Sequence, residues 1–177
     1  MRKVFFTTLL AFLMAQTAAA QETPKAELFG GYSYAGGNFH GWHASVAGNV
    51  NKWFGVAADF TGHYGGAIDE DGFDERQRVY SYHFGPRFSA RGKRVTVFAH
   101  ALIGGSSLKG RLTGFGQMFE FEDAGFSFVT GGGLDIKVHD RVSIRAFQLD
   151  YLRSRFFGET EDRGRLAFGL VLRLGKK

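Results

Sequence analysis

Cysteine is absent from the 177 residues, and proline occurs only twice. Without cysteine the chain has no disulfide, no thiolate metal ligand, no thiol nucleophile and no lipid-modified cysteine at a processing site. So little proline fits long, fully paired strands, which tolerate poorly a residue lacking its N–H. Long apolar runs are missing too. The one apolar stretch of any length, Val4–Met14, is too short for a spanning helix, which needs about 20 residues. Any passage through a membrane must then use strands closed into a ring, because an open edge in lipid leaves backbone groups unpaired. Lys and Arg form no dense basic stripe, which argues against nucleic acid as a partner.

What is present begins with an address. Arg2 and Lys3 precede the apolar run, and Ala18-Ala19-Ala20 stand before Gln21. This is the plan of a cleavable secretory signal peptide over Met1–Ala20, leaving Gln21–Lys177 as one domain. Removing Arg2 and Lys3 takes the net charge from +5 to +3. The mature part is rich in glycine and phenylalanine, with aromatics at 16%. Aromatic and β-branched residues favour strands.

Eight segments alternate apolar and polar residues: Ala26–Tyr34, Gly41–Val50, Trp53–Tyr64, Arg78–Phe88, Val95–Ile103, Gly125–Val138, Val142–Leu152 and Arg165–Leu174. Each is about as long as a tilted membrane strand, roughly 9–11 residues. The seventh changes parity at Ala146-Phe147. A β-bulge there keeps Val142, Ile144, Ala146, Phe147, Leu149 and Tyr151 on one face. The connections alternate in length. Asn51-Lys52, Ser89–Arg94 and His139–Arg141 are short, whereas Gly65–Gln77, Gly104–Ala124 and Arg153–Gly164 read as long loops rich in glycine and charge. That alternation matches short periplasmic turns and longer extracellular loops. Aromatics gather at both ends of the strands: Tyr34, Trp42, Tyr64, Tyr80, Phe126 and Tyr151 toward one rim, and Trp53, Phe54 and Phe88 toward the other. Two such girdles mark the two membrane interfaces. The fold class read from this pattern is all-β, an eight-stranded antiparallel up-and-down transmembrane β-barrel.

An eight-stranded barrel has an interior that side chains just fill. The inward positions include Glu27, His43, Asp59, His83, Arg87, His100, Asp135, Lys137, Arg145 and Asp150. Buried charges must be paired, so these residues are read as a structural ion-pair network. Arg145 is expected to pair with Asp59 or Asp150, and Arg87 with Glu27 or Asp135. A narrow ion or water path lined by the same groups is the alternative, and a soluble periplasmic barrel holding an apolar ligand is another. The inward histidines His43, His63, His83 and His100 lack compact metal-ligand spacing. Asp69-Glu70-Asp71-Gly72 opens like a calcium loop without completing one. Gly131-Gly132-Gly133 precedes no helix and is no phosphate cradle. No cofactor, metal or catalytic residue is assigned.

The signal peptide, the opening strand with its Gly30-Gly31-Tyr32-Ser33-Tyr34 run, and the closing strand from Leu166 to Leu174 resemble the small bacterial outer-membrane β-barrels. That family includes the OmpA transmembrane domain and porin-like relatives. The resemblance implies insertion into outer-membrane lipid by the assembly machinery, and no single activity. Members commonly end in an aromatic residue, whereas here Leu174 is followed by Gly175-Lys176-Lys177, and no wall-binding domain follows. Lipid A deacylases of this kind carry a His and a Ser close in one strand. His43 and Ser45 have that spacing, but on the inward face, and without the Asn that follows the Ser in those enzymes. The reading is a non-enzymatic structural or surface-interaction scaffold. Any surface ligand would be met by residues 65–77, 104–124 and 153–164, the second carrying apolar Leu108, Leu112, Phe115, Met118, Phe119 and Phe121.

Overall fold

The computed structural model describes residues 23–68, 74–114 and 117–175. Met1–Ala20, the Asp69–Gly72 stretch, Phe115 and Lys176-Lys177 lie outside them. Eight strands follow in order: β1 (Ala26–Ala35), β2 (Phe39–Asn49), β3 (Phe54–Ile68), β4 (Asp74–Arg91), β5 (Val95–Gly114), β6 (Gln117–His139), β7 (Val142–Phe156) and β8 (Glu159–Leu174). Each pairs antiparallel with its sequence neighbours, and β8 returns to β1, closing the sheet into a barrel. Closure leaves no sheet edge in the barrel wall, as hydrocarbon requires.

The register fixes the stagger. From Tyr64 on β3, successive partners are His40, Tyr34, Leu166, Leu149, Gly132, Ala99 and Phe88, and the path re-enters β3 at Phe54. The wall is thus offset by the ten positions between Tyr64 and Phe54, which demands strongly tilted strands, roughly 35–45°. Burial alternates along β7 except at Ala146 and Phe147, which are both exposed. The pairing shifts there on both flanks, between Leu134 and Asp135 toward β6 and between Arg145 and Gln148 toward β8. The extra residue is the predicted bulge. It keeps Val142, Ile144, Leu149 and Tyr151 on the outer face while Arg145 and Gln148 stay inside.

The three long connections are corrected. β3 runs to Ile68 and β4 starts at Asp74, β5 runs to Gly114 and β6 starts at Gln117, and only Phe157 and Gly158 separate β7 from β8. Residues 65–77, 104–124 and 153–164 are therefore largely hairpin strand. Their glycine and charge content resembles a loop, yet opposite charges face one another across the ladder. Lys109 reaches Glu122 at 2.8 Å and Arg111 reaches Glu120 at 2.6 Å. Phe157 (φ 50°) and Gly158 (φ 81°) both take left-handed backbone, the pattern of a two-residue type I′ hairpin. At the opposite end the turns are tight. Asn51 Oδ1 accepts from the amides of Trp53 and Phe54 at 2.9 and 2.7 Å.

Candidate functional site

Inward side chains form one continuous chain of ion pairs along the lumen, bridged at one step by the Gln148 amide. At the turn end Arg91 donates to the Lys52 carbonyl at 2.7 Å and to Asn49 at 2.8 Å, and it reaches Glu27 at 3.3 Å. Glu27 binds Arg87 at 3.0 Å, and Arg87 lies 3.5 Å from Asp135. Arg145 donates to Asp135 at 2.8 Å and to Gln148 at 2.6 Å; Gln148 donates to Asp150 at 2.8 Å. Arg165 then joins Asp150 at 2.6 Å to Asp59 at 3.3 Å. The order Arg91, Glu27, Arg87, Asp135, Arg145, Asp150, Arg165, Asp59 alternates in sign throughout, so each buried charge meets its opposite. Two phenylalanines clamp the middle of the chain. The Arg145 guanidinium sits 4.2 Å from the Phe29 ring and 4.3 Å from the Phe98 ring.

Above this chain lies a hydroxyl and imidazole layer. His43 Nε2 is 3.0 Å from Asp59, His100 Nε2 is 2.9 Å from Asp150, and Ser33 is 2.9 Å from His63. His83 meets Ser127, which is bonded to Ser106 and through it to Ser81. The mouth at the hairpin end is narrowed by Phe39, Leu108, Leu152 and Phe156, all buried, with the Arg163 guanidinium 4.4 Å over the Phe39 ring. The cavity beneath them is only about 20 Å³, about one water-sized probe. Among the described residues no group of three or more His, Asp or Glu is placed to hold a metal ion.

Glu27, His43, Asp59, His83, Arg87, His100, Asp135, Arg145 and Asp150 are all buried in the lumen. Lys137 is not: its side chain is 29% exposed at the turn end and pairs with Asp140 at 2.9 Å. It sits too close to the end of β6 to reach the interior. The partner expected for Arg145 is corrected as well. Arg145 stands opposite Asp135 in the β6–β7 register, while Asp150 stands opposite Arg165 in the β7–β8 register, so Arg165 takes both carboxylates expected for Arg145. Arg165 opens the predicted eighth strand on the inward parity, and that parity was its only signal. His43 and Ser45 both point into the lumen, away from lipid, and His43 is engaged by Asp59.

The outer wall carries the aromatic residues. Trp53 stacks on Phe88 at 6.0 Å beside Phe54 at the turn end. Tyr64 and Tyr80 share a hydrogen bond at 3.2 Å toward the hairpin end. Trp42, Phe126 and Tyr151 are exposed there, and Tyr34 is half-buried. Beyond this rim part of the wall continues alone. Pairing of β2 with β3 stops at His40–Tyr64, and pairing of β6 with β7 stops at Ser127–Ser154. The ends of β3, β4, β5 and β6 therefore stand clear as a four-stranded sheet. Its β6 margin meets the β7–β8 turn at Asp123, which accepts from the Phe157 amide. From Gln117 to Glu122 no ladder partner lies beside β6 on that flank among the described residues. Phe119 and Met118 there are 61% and 58% exposed, and Phe157 in the β7–β8 turn is 62% exposed. Phe121 lies across Gly110 and meets Phe157 at 6.3 Å.

A closed eight-stranded barrel with an apolar exterior, two aromatic rims and a charge-paired interior defines an integral outer-membrane protein. The chain belongs to the outer membrane protein beta-barrel domain family, whose model matches residues 5–173. No curated protein sequence matches it. Among solved structures it is similar to Ail, the attachment invasion locus protein of Yersinia pestis, at 20% identity and a TM-score of 0.66, covering 86% of this chain and 99% of that one. Ail has also been solved in complex with the heparin analogue sucrose octasulfate. Neisserial surface protein A is similar at 13% identity and a TM-score of 0.52, covering 84% of this chain and 96% of that one. At these identities the likeness shows the fold. The protein resides in the bacterial outer membrane, its hairpin end facing outward by the general rule for such barrels.

Proposed function

We propose that this barrel is a non-enzymatic surface-interaction scaffold, exported with removal of Met1–Ala20, in which the projecting sheet captures an extended segment of a partner. The observation that carries this reading is the open β6 margin, Gln117–Glu122, which carries exposed Phe119 and adjoins exposed Phe157 through Phe121 and Asp123. A free strand edge offers main-chain hydrogen bonds, and alternate side chains beside it supply specificity. Phe157 adds a second cue. A bulky residue held at positive φ is uncommon, and this one is held in water instead of a core.

Selection of random peptides against the protein in nanodiscs tests the reading. The enriched sequences are expected to be extended, with apolar residues at alternate positions. Phe119→Asp is expected to weaken them about tenfold or more, the loss of one apolar anchor of roughly 1.4 kcal/mol. Enriched peptides without alternation, or binding indifferent to Phe119→Asp, would sink it.

The lumen supports the scaffold reading over a pore. A hydrated ion would have to displace the alternating chain and then pass Phe39, Leu108, Leu152 and Phe156. Planar-bilayer recordings are expected to show no discrete conductance steps. Steps that vanish on Leu152→Trp would establish a pore instead.

A further inference from the structure

The outer wall carries a recess that reaches into the base of the projecting sheet. On β3 the Trp42 ring lies over Gly62, whose added Cβ would meet the indole nitrogen at 2.6 Å. On β5 the Tyr82 ring lies over Gly105 in the same way, with its hydroxyl at 2.8 Å. Beside these rings a recess of about 630 Å³ opens across β3–β6, its lining including Tyr80, Ser107, Ala124 and Phe126. That volume lies within the roughly 300–1,000 Å³ of small-molecule sites. Tyr80, Tyr82 and Phe126 place it at the outer rim, on the face that meets the bilayer.

The residues immediately beyond it are basic. Arg78 stands directly opposite Lys109 in the β4–β5 register, two positions along from the Tyr80–Ser107 pair that enters the recess. Two positions along a strand are about 7 Å, the step from a chain to its headgroup. Like charges directly opposite on one sheet face are unfavourable, and the next outward pair, Arg76–Arg111, repeats the arrangement. Glu122 and Glu120 on β6 offset Lys109 and Arg111. Arg78 forms no ion pair with a described carboxylate. An anion between Arg78 and Lys109 would relieve their repulsion.

We infer that this recess holds one acyl chain of an outer-leaflet lipid whose phosphate-bearing headgroup rests between Arg78 and Lys109. Bulk lipid would fill the recess in any case. The basic pair turns filling into selection, because only an anionic headgroup satisfies the lip while its chain lies between the rings. The inference does not rest on peptide capture at β6, although the two sites adjoin: Glu122 of that margin pairs with Lys109 of the lip.

The chain's two tryptophans make a direct test possible. In a Trp53→Phe background, Trp42 is the sole tryptophan, and it lines the recess. The protein is reconstituted in neutral phosphatidylcholine vesicles containing a minor fraction of lipid with brominated chains, either phosphatidic acid or phosphatidylcholine. Brominated phosphatidic acid is expected to quench Trp42 about fivefold more effectively per molecule. Arg78→Gln should bring the two lipids to equality. Ala124→Leu, which adds bulk to the lining and leaves every charge in place, should do the same. Both side chains point away from the lumen, and a heat-shift gel verifies that each variant is folded. Equal quenching by the two lipids in the parent would overturn the inference. So would a preference that survives either Arg78→Gln or Ala124→Leu, since the latter would leave only general surface electrostatics.

Discussion

Arg165→Met is expected to lower the stability of the folded barrel by about 3–5 kcal/mol, the cost of breaking a buried ion pair from one side. The Arg165 side chain is fully buried, donates to Asp150 through Nε at 2.9 Å and Nη2 at 2.6 Å, and extends to Asp59 at 3.3 Å. Its removal leaves two carboxylates with only His43, His100 and Gln148 around them. Arg165→Lys should recover little, because a point charge cannot fork between two acids. Removing an acid together with the cation, as in Asp150→Asn with Arg165→Met, should recover part of the loss. The contrast is Arg153→Ala. Arg153 pairs with Asp162 on the outside at 2.9 Å with both side chains about half exposed, and its loss is expected to cost less than about 1 kcal/mol. Urea titration in detergent micelles, followed by heat-shifted gel mobility, reads all four variants. An Arg165→Met barrel within about 1 kcal/mol of the parent would mean that water already solvates those carboxylates. That result would also remove one of the two grounds for a non-conducting lumen.

The wall was more legible in the sequence than the network inside it. Period-two alternation names which face each residue takes, and the parity break at Ala146-Phe147 was strong enough to place a bulge that the pairing shows. Parity does not say which inward residues share a height, because that depends on the stagger of the whole ring. Arg145 and Asp150 lie on one strand and look like partners until the β7–β8 register sets Arg165 opposite Asp150. Phe29 and Phe98 sit on the inward parity as well, and their role as a clamp on Arg145 follows only from closure. The projecting sheet was obscured for another reason. Its glycines and charges suggest loop when counted, although the spacing of Lys109 and Arg111 against Glu122 and Glu120 already encodes a hairpin. Likewise, the recess depends on rings lying over glycines of neighbouring strands, a relation that no single strand displays.

Valine at Gly31 or Gly169 is expected to abolish the folded, heat-modifiable form. These two glycines face each other across the β1–β8 seam, where the first and last strands close the ring. A Cβ on Gly31 would lie 2.1 Å from the carbonyl oxygen of Phe168, and one on Gly169 would lie 2.3 Å from that of Gly30. Both obstacles are backbone, so no rotamer change relieves the clash and the strands must part. Ordinary overpacking of a core costs about 1–3 kcal/mol because side chains can yield; here the yielding element is the ladder itself. Glycine at such a point lets a tilted wall bend and approach closely. Position matters as much as size. The seam joins segments far apart in sequence, so its pairing must repay the full entropy of closing the chain. Gly30 is the internal contrast. It is the neighbouring residue on the outer face, and an added Cβ there meets nothing within 4 Å. Gly30→Val is therefore expected to fold and to shift on heating like the parent. If Gly31→Val and Gly169→Val fold equally well, the seam cannot be as close as the register requires. The ten-position stagger, and the Arg165–Asp150 pairing that depends on it, would then have to be redrawn.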